Sequence, residues 1–204
     1  MQKLFLLILL FQCSLLFSQS QKDELFKKDI DSIMDELRFA FQYDQAMRNY
    51  VLYKTFDSGV IDSINRSENS AEYIIAHNFK TDKARRIWEE IIHPADKNST
   101  QLMLQITQEY GYPGLDRIQK FYEGALPNEF NPTIILIHSP ESLWPEIDRL
   151  IEIEFAAGRM LGCDYGYIKW HLSGRKNTSY LDRFEIEYGQ TPSGRVYYVK
   201  TCLN

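Results

Sequence analysis

Two periods run along this chain, a long helical one and a short alternating one near the end. From about Asp23 to Tyr53 the apolar residues Leu25, Phe26, Ile30, Ile33, Met34, Leu37, Phe41, Met47, Tyr50 and Val51 recur at three- and four-residue steps, with acids and lysines between them. That spacing predicts an amphipathic helix, either one long element or two broken near Tyr43. Asp57-Ser58-Gly59 is expected to close it, and a shorter helical pattern follows from Ser67 to Phe79. Thr81-Asp82 can cap a further helix through Trp88 and Ile92, expected to end at His93-Pro94. Asn98-Ser99-Thr100 then opens another through Leu102, Leu104 and Ile106. Gly111-Tyr112-Pro113-Gly114 stops it, because glycine reaches the left-handed conformation and proline forbids continuation.

The stretch Thr133-Ile134-Ile135-Leu136-Ile137-His138 is apolar on every side. As a strand it would need a sheet covered on both faces, and no comparable strands precede it. As a helix it has its punctuation: Asn131 as N-cap, Pro132 in the first turn, and Pro140 to end it. The helix is the preferred reading, although the β-branched residues favour a strand. Trp144-Pro145-Glu146 starts the next amphipathic helix, through Ile147, Leu150, Ile151 and Phe155 to Gly158. The tail is different: Phe184 to Tyr188 alternates apolar and acidic residues, Pro192-Ser193-Gly194 follows, and Val196 to Val199 favours strand, which predicts a hairpin over 184–200. The expected fold is mainly α, a compact multi-helix domain finished by a small C-terminal β-hairpin.

The first residues change the picture of address. Lys3 is followed by an apolar run from Leu4 to Leu16 and by Ser18-Gln19-Ser20, which reads as a secretory signal peptide over 1–20. The run is shorter than the roughly 18 to 20 residues a spanning helix needs, so no transmembrane segment is expected in the mature chain. Cleavage after Ser20 or Ser18 would leave Gln21 or Gln19 first, in an exported protein, periplasmic or secreted. The 184 residues left from 204 after the first 20 suit a single domain, 21–204. The formal charge of −5 becomes −6 without Lys3, which disfavours nucleic acid as a partner. Cys163 and Cys202 remain, and an isolated pair in an oxidising compartment is more often joined than free. The alternative is two unpaired thiols.

Candidate chemistry gathers around a few polar residues set in apolar patterns. Asp44, Gln45 and Arg48 interrupt the first helix beside Phe41 and Met47, and Asp44 and Arg48 share a face. His138 ends the apolar segment, where a helix C-terminus favours a protonated imidazole. It is either a structural cap or a general acid/base oriented by Asp182 or Asp44. Asp182-Arg183 precedes the hairpin as an inward ion pair or an ordinary cap. No H-x-x-x-H pair supports a metal, and no nucleophile elbow, phosphate loop or dinucleotide glycine pattern is present, so no cofactor is implied. Tyr165 to Asn177 mixes Tyr165, Tyr167 and Trp170 with Lys169, His171, Arg175 and Lys176, a pattern that a packed helix end with solvated cations also produces.

The order of these motifs resembles an uncharacterised bacterial family, a domain of unknown function. Its members read D-Q-x-x-R, D-x-x-N, H-G-W-P, Q-H-A, D-R and Q-x-Y-G-T-Q. The matching residues are Asp44-Gln45 with Arg48, Asn98, Gly111-Tyr112-Pro113, His138, Asp182-Arg183 and Tyr188-Gly189-Gln190, spanning roughly Leu37 to Gln190, with Asp96 two residues before Asn98 instead of three. Tyr110 and Ile137 replace the family's histidine and glutamine, and the threonine after Gly189 is missing. The resemblance implies an α-rich bacterial protein and no particular reaction. Two functions are therefore expected to compete. One is a binding or interaction module for a small molecule or an envelope protein, in which either the aromatic and basic segment Tyr165 to Asn177 meets the partner or Asp44, Gln45 and Arg48 meet the ligand. The other is a hydrolase-like enzyme using His138, Asp182 and Arg183.

Overall fold

A computed structural model describes the backbone of residues 2–54, 82–190 and 196–198, and side chains over 21–51 and 85–189. The expected stop at Asp57-Ser58-Gly59, the Ser67–Phe79 helix, Thr81, the Pro192-Ser193-Gly194 turn and Cys202 lie outside the described residues.

The long apolar stripe forms one helix, α1 (Gln2–Lys54), with no break at Tyr43. Phe26, Ile30, Ile33, Met34, Leu37, Ala40 and Phe41 on it are buried. Each large side chain so buried contributes roughly 1.5–3 kcal/mol, which makes α1 the spine of the core. Leu25 and Tyr50, read from spacing as part of the stripe, are exposed instead. None of the described helices is long and apolar enough to cross a membrane.

The next region departs from the expected punctuation. His93-Pro94 was expected to end a helix, with another opening at Asn98. Instead α2 (Asp82–Ile87) runs through a π-helical turn at Trp88–Ile92 into α3 (His93–Tyr110). The physical reason is where Pro94 falls. The wider turn, in which the His93 N–H reaches back to the Trp88 carbonyl, puts Pro94 in the first turn of α3, where a missing N–H costs little. Gly111 ends α3 at φ 85°, as its sequence position predicts.

After α4 (Leu115–Phe121) comes α5 (Thr133–Ile137), the helical form of the apolar stretch. Asn131 Oδ1 accepts from Thr133 N at 3.0 Å, as an N-cap should. Thr133, Ile135, Leu136 and Ile137 are all buried, so the unbroken apolar run marks a short helix driven into the core, not a strand. A 3₁₀ turn leads into α6 (Trp144–Ala156), with Gly158 beyond it at φ 70°. Then come α7 (Gly162–Leu172) and α8 (Ser179–Arg183).

The described chain is mainly α. Phe184 to Tyr188, expected to be strand, is mostly the exit from α8: Phe184 N bonds Leu181 O, and Glu185 turns the chain at φ 55°. Its alternation reflects Ile186 packing on Trp170 and Leu181, not a pleat. The β content is one ribbon, β1 (Tyr188–Gln190) antiparallel to β2 (Val196–Tyr198), with Gly189 opposite Tyr197. The aromatic and basic segment is the body of α7. Tyr165 and Trp170 are buried there, while Lys169 reaches Asp148 and Glu152 on α6.

Candidate functional site

The core stripe of α1 continues past Phe41 into Asp44 and Arg48 before returning to buried Val51. The helix therefore carries two charged side chains toward its neighbours. From the π-turn into α3 the inward positions Ile92, Asp96, Thr100 and Met103 follow the same logic, with an acid where an apolar residue would be expected. The C-terminal end of α5 delivers His138 between them. Thr100 ties α3 to α5, its hydroxyl donating to Asp96 O at 2.7 Å and reaching Ile135 O at 3.5 Å.

Asp44 is the hub. Its Oδ1 accepts from Arg48 Nε at 2.7 Å and lies 3.1 Å from His138 Nδ1, while Oδ2 accepts from Gln45 Nε2 at 2.8 Å. The other arm of Arg48 donates to Asp96 Oδ1 at 2.7 Å, and its guanidinium lies 4.9 Å from the Trp88 ring centre. The Asp44, Asp96 and Arg48 side chains are only 11%, 10% and 16% exposed, so little water screens these pairs, whereas His138 is 24% exposed. Burial pushes the Asp44 carboxyl up, but His138 and Arg48 outweigh it and hold it below the usual range. Asp96 goes the other way, because its burial exceeds what Arg48 returns. One guanidinium thus serves two carboxylates driven apart in acidity.

The pairing also sets the imidazole. An ionised Asp44 only accepts, so a neutral His138 carries its proton on Nδ1 and presents Nε2 as an acceptor. Among the described residues Nε2 has no hydrogen-bond partner. Asp44, Asp96 and His138 offer three ligand-type atoms within 4.8 Å of one another, drawn from three distant elements that no sequence spacing connects. Arg48 bridges both carboxylates, its guanidinium supplying one positive charge to the two acids.

Of the predicted site residues, Asp44, Gln45, Arg48 and His138 converge. Asp182 and Arg183 lie elsewhere: both are exposed on α8, where Asp182 accepts from Tyr188 OH at 2.9 Å and Arg183 lies over the Phe184 ring. Asp182 thus meets the start of the ribbon, and neither residue contacts the cluster. Cys163 is disulfide-bonded, and the expected partner, Cys202, lies outside the described residues. Asp96 was missed as a site residue, although its four-residue step from Ile92 and to Thr100 places it on the buried face of α3.

A groove of about 650 Å³ between α1 and the π-turn–α3 segment is lined by Phe39, Tyr43, Ile91 and Leu102 among others. None of the predicted site residues lines it. No protein-family model, no curated protein and no solved structure matches this chain.

Proposed function

We propose that this is an exported bacterial binding module whose site is the Asp44–Gln45–Arg48–Asp96–His138 cluster, with His138 Nε2 the group that meets a small polar ligand. The observation that carries this reading is the Asp44–His138 contact at 3.1 Å, which fixes one ring nitrogen and leaves the other free on a partly exposed side chain. A histidine that merely capped α5 would need no carboxylate behind it. The residues of the family resemblance that meet, Asp44, Gln45, Arg48 and His138, support the same reading. Export rests on the signal-like segment. The first packed contacts of α1 fit it, because Lys22 and Asp23 are engaged with Glu154 and Arg117 while Gln21 is exposed. Cleavage after Ser18 or Ser20 would leave both pairs intact.

A second reading comes from the same contact: a carboxylate-oriented imidazole is also how general bases are held, here with Asp44, one of the two carboxylates the sequence offered, in that role. Small polar compounds screened against protein with ¹⁵N-labelled imidazoles separate the two. A binding module gives shifts centred on His138 that His138→Gln abolishes, with folding stability lowered by no more than about 1–2 kcal/mol. An enzyme gives turnover that the same substitution removes while binding survives. Shifts that avoid His138 in every case would refute both. Intact mass of the exported protein should place Gln21 or Gln19 first, and retention of Met1 would refute export by this route.

A further inference from the structure

A second cavity opens where the start of α6, the end of α7 and the start of α8 meet. Its volume is about 280 Å³, and Trp144, Asp148, Lys169, Leu172, Ser173 and Tyr180 line it, whereas none of the Asp44–His138 cluster does. Sites for drug-sized ligands start at roughly 300 Å³, so this one suits a single small ring. Lys169, Leu172 and Ser173 come from the aromatic and basic segment, whose Tyr165 and Trp170 are spent in the core.

The polar groups lining this cavity are only partly committed. Lys169 Nζ donates to Asp148 Oδ1 at 2.5 Å and to Glu152 Oε1 at 3.0 Å, which leaves one of its three N–H bonds over. Asp148 Oδ2 has no hydrogen-bond partner among the described residues. Trp144 and Ser173 have no donor to offer: the indole donates to Ser139 O at 3.3 Å, and Ser173 Oγ donates to Trp170 O at 2.6 Å. What the cavity presents is therefore one carboxylate oxygen and one ammonium proton beside the rings of Trp144 and Tyr180.

Charge narrows the ligand class. The acid and the base of the cavity are paired with each other, so an anion would meet Asp148 and a cation would meet Lys169, whose ammonium already lies 5.6 Å from the Tyr180 ring centre. A wholly apolar ligand would strip water from both charges without replacing its hydrogen bonds. A neutral sugar ring avoids all three costs, because its C–H face packs on aromatic rings while its hydroxyls both donate and accept. We propose that this cavity is a carbohydrate site for a single uncharged pyranose, with the rings of Trp144 and Tyr180 against its C–H face, Asp148 accepting from its hydroxyls and Lys169 donating to them. It is a second site, independent of the His138 cluster.

¹H–¹⁵N spectra of the mature protein, titrated separately with the methyl glycosides of glucose, galactose and mannose and with cyclohexanol, acetate and methylammonium, test this. At least one glycoside should shift the Trp144 indole N–H together with the Lys169 and Tyr180 amides. Asp148→Asn should weaken that binding at least about tenfold, the loss of a hydrogen bond to a charged group, and Tyr180→Leu by a similar factor. The Asp148 side chain is 45% exposed, so loss of its pair with Lys169 should leave the helical circular dichroism unchanged. Glycoside binding unaltered in both folded variants would overturn the assignment. Equal shifts with cyclohexanol, or a preference for acetate or methylammonium, would overturn the carbohydrate class. Glycoside shifts confined to His138 and its neighbours would overturn this cavity and leave the His138 reading standing. No glycoside shift at about 50 mM, well above the roughly millimolar Kd expected of one ring, would overturn this inference alone.

Discussion

At the residue scale, burial sets two kinds of carboxyl apart. Asp44 is partly buried, and His138 and Arg48 beside it favour its charge, so its ionised form is the stable one. Among the described residues Asp164 on α7 has only the Thr133 hydroxyl, which donates at 3.1 Å and itself contacts Tyr112 OH at 2.7 Å. Burial pushes Asp164 up to about 6, a shift that one hydroxyl does little to oppose. With the folded-state value above the unfolded one, the native chain holds its proton more tightly, so stability contributed at low pH is lost as pH rises from about 4 to 6. Asp164→Asn should remove that loss. It should raise stability near pH 7 by no more than about 3 kcal/mol and leave it little changed near pH 4, as urea denaturation at the two pH values would show.

At the element scale, ends and interruptions of helices do most of the positioning. The π-turn at Trp88–Ile92 keeps α3 continuous with α2 and holds Trp88 where Arg48 lies over its ring. The stop at Gly111 is stricter. Its φ of 85° suits glycine, and a Cβ there would sit 3.0 Å from both Arg159 Cδ and Glu154 Oε2. Gly111→Ala should therefore cost about 1–3 kcal/mol through backbone strain and displacement of the ion pair, lowering the thermal midpoint without altering the helical circular dichroism. A change below about 0.5 kcal/mol would show that Arg159 yields freely.

At the scale of the whole molecule, Glu154 is the fastener. It is fully buried, grips Arg159 through two hydrogen bonds at 2.6 and 2.7 Å, accepts from Tyr112 N at 3.0 Å, and meets Lys22 at 3.4 Å. It thereby joins the packed start of α1, the turn after α3 and the end of α6. Burial would raise its pKa, but Arg159, the Tyr112 amide and Lys22 hold it below the usual range. Removing the charge strands Arg159 and Lys22, so Glu154→Gln should cost about 3–5 kcal/mol. Wild-type stability should also fall as pH drops through the lowered Glu154 value, and chemical denaturation across acid pH would detect both effects. An unchanged midpoint in the variant would mean that water already compensates the cations.

The sequence by itself determined the helical class, because three- and four-residue apolar steps and Gly/Pro stops are local signals read without knowledge of neighbours. It also marked Asp44, Gln45, Arg48 and His138, since charge inside an apolar stripe is anomalous wherever the stripe packs. Tertiary structure decided what those residues meet. Asp96 and His138 are 42 residues apart in the chain and come to the same carboxylate–guanidinium pair only because α3 and α5 pack on α1. Asp182-Arg183 looked equally anomalous, but the end of α8 lies at the surface, where charge needs no partner in the core. The Pro94 and Phe184 readings failed for a related reason: whether a proline breaks a helix, or an alternation makes a strand, depends on hydrogen-bond partners and packing faces that only the folded chain supplies.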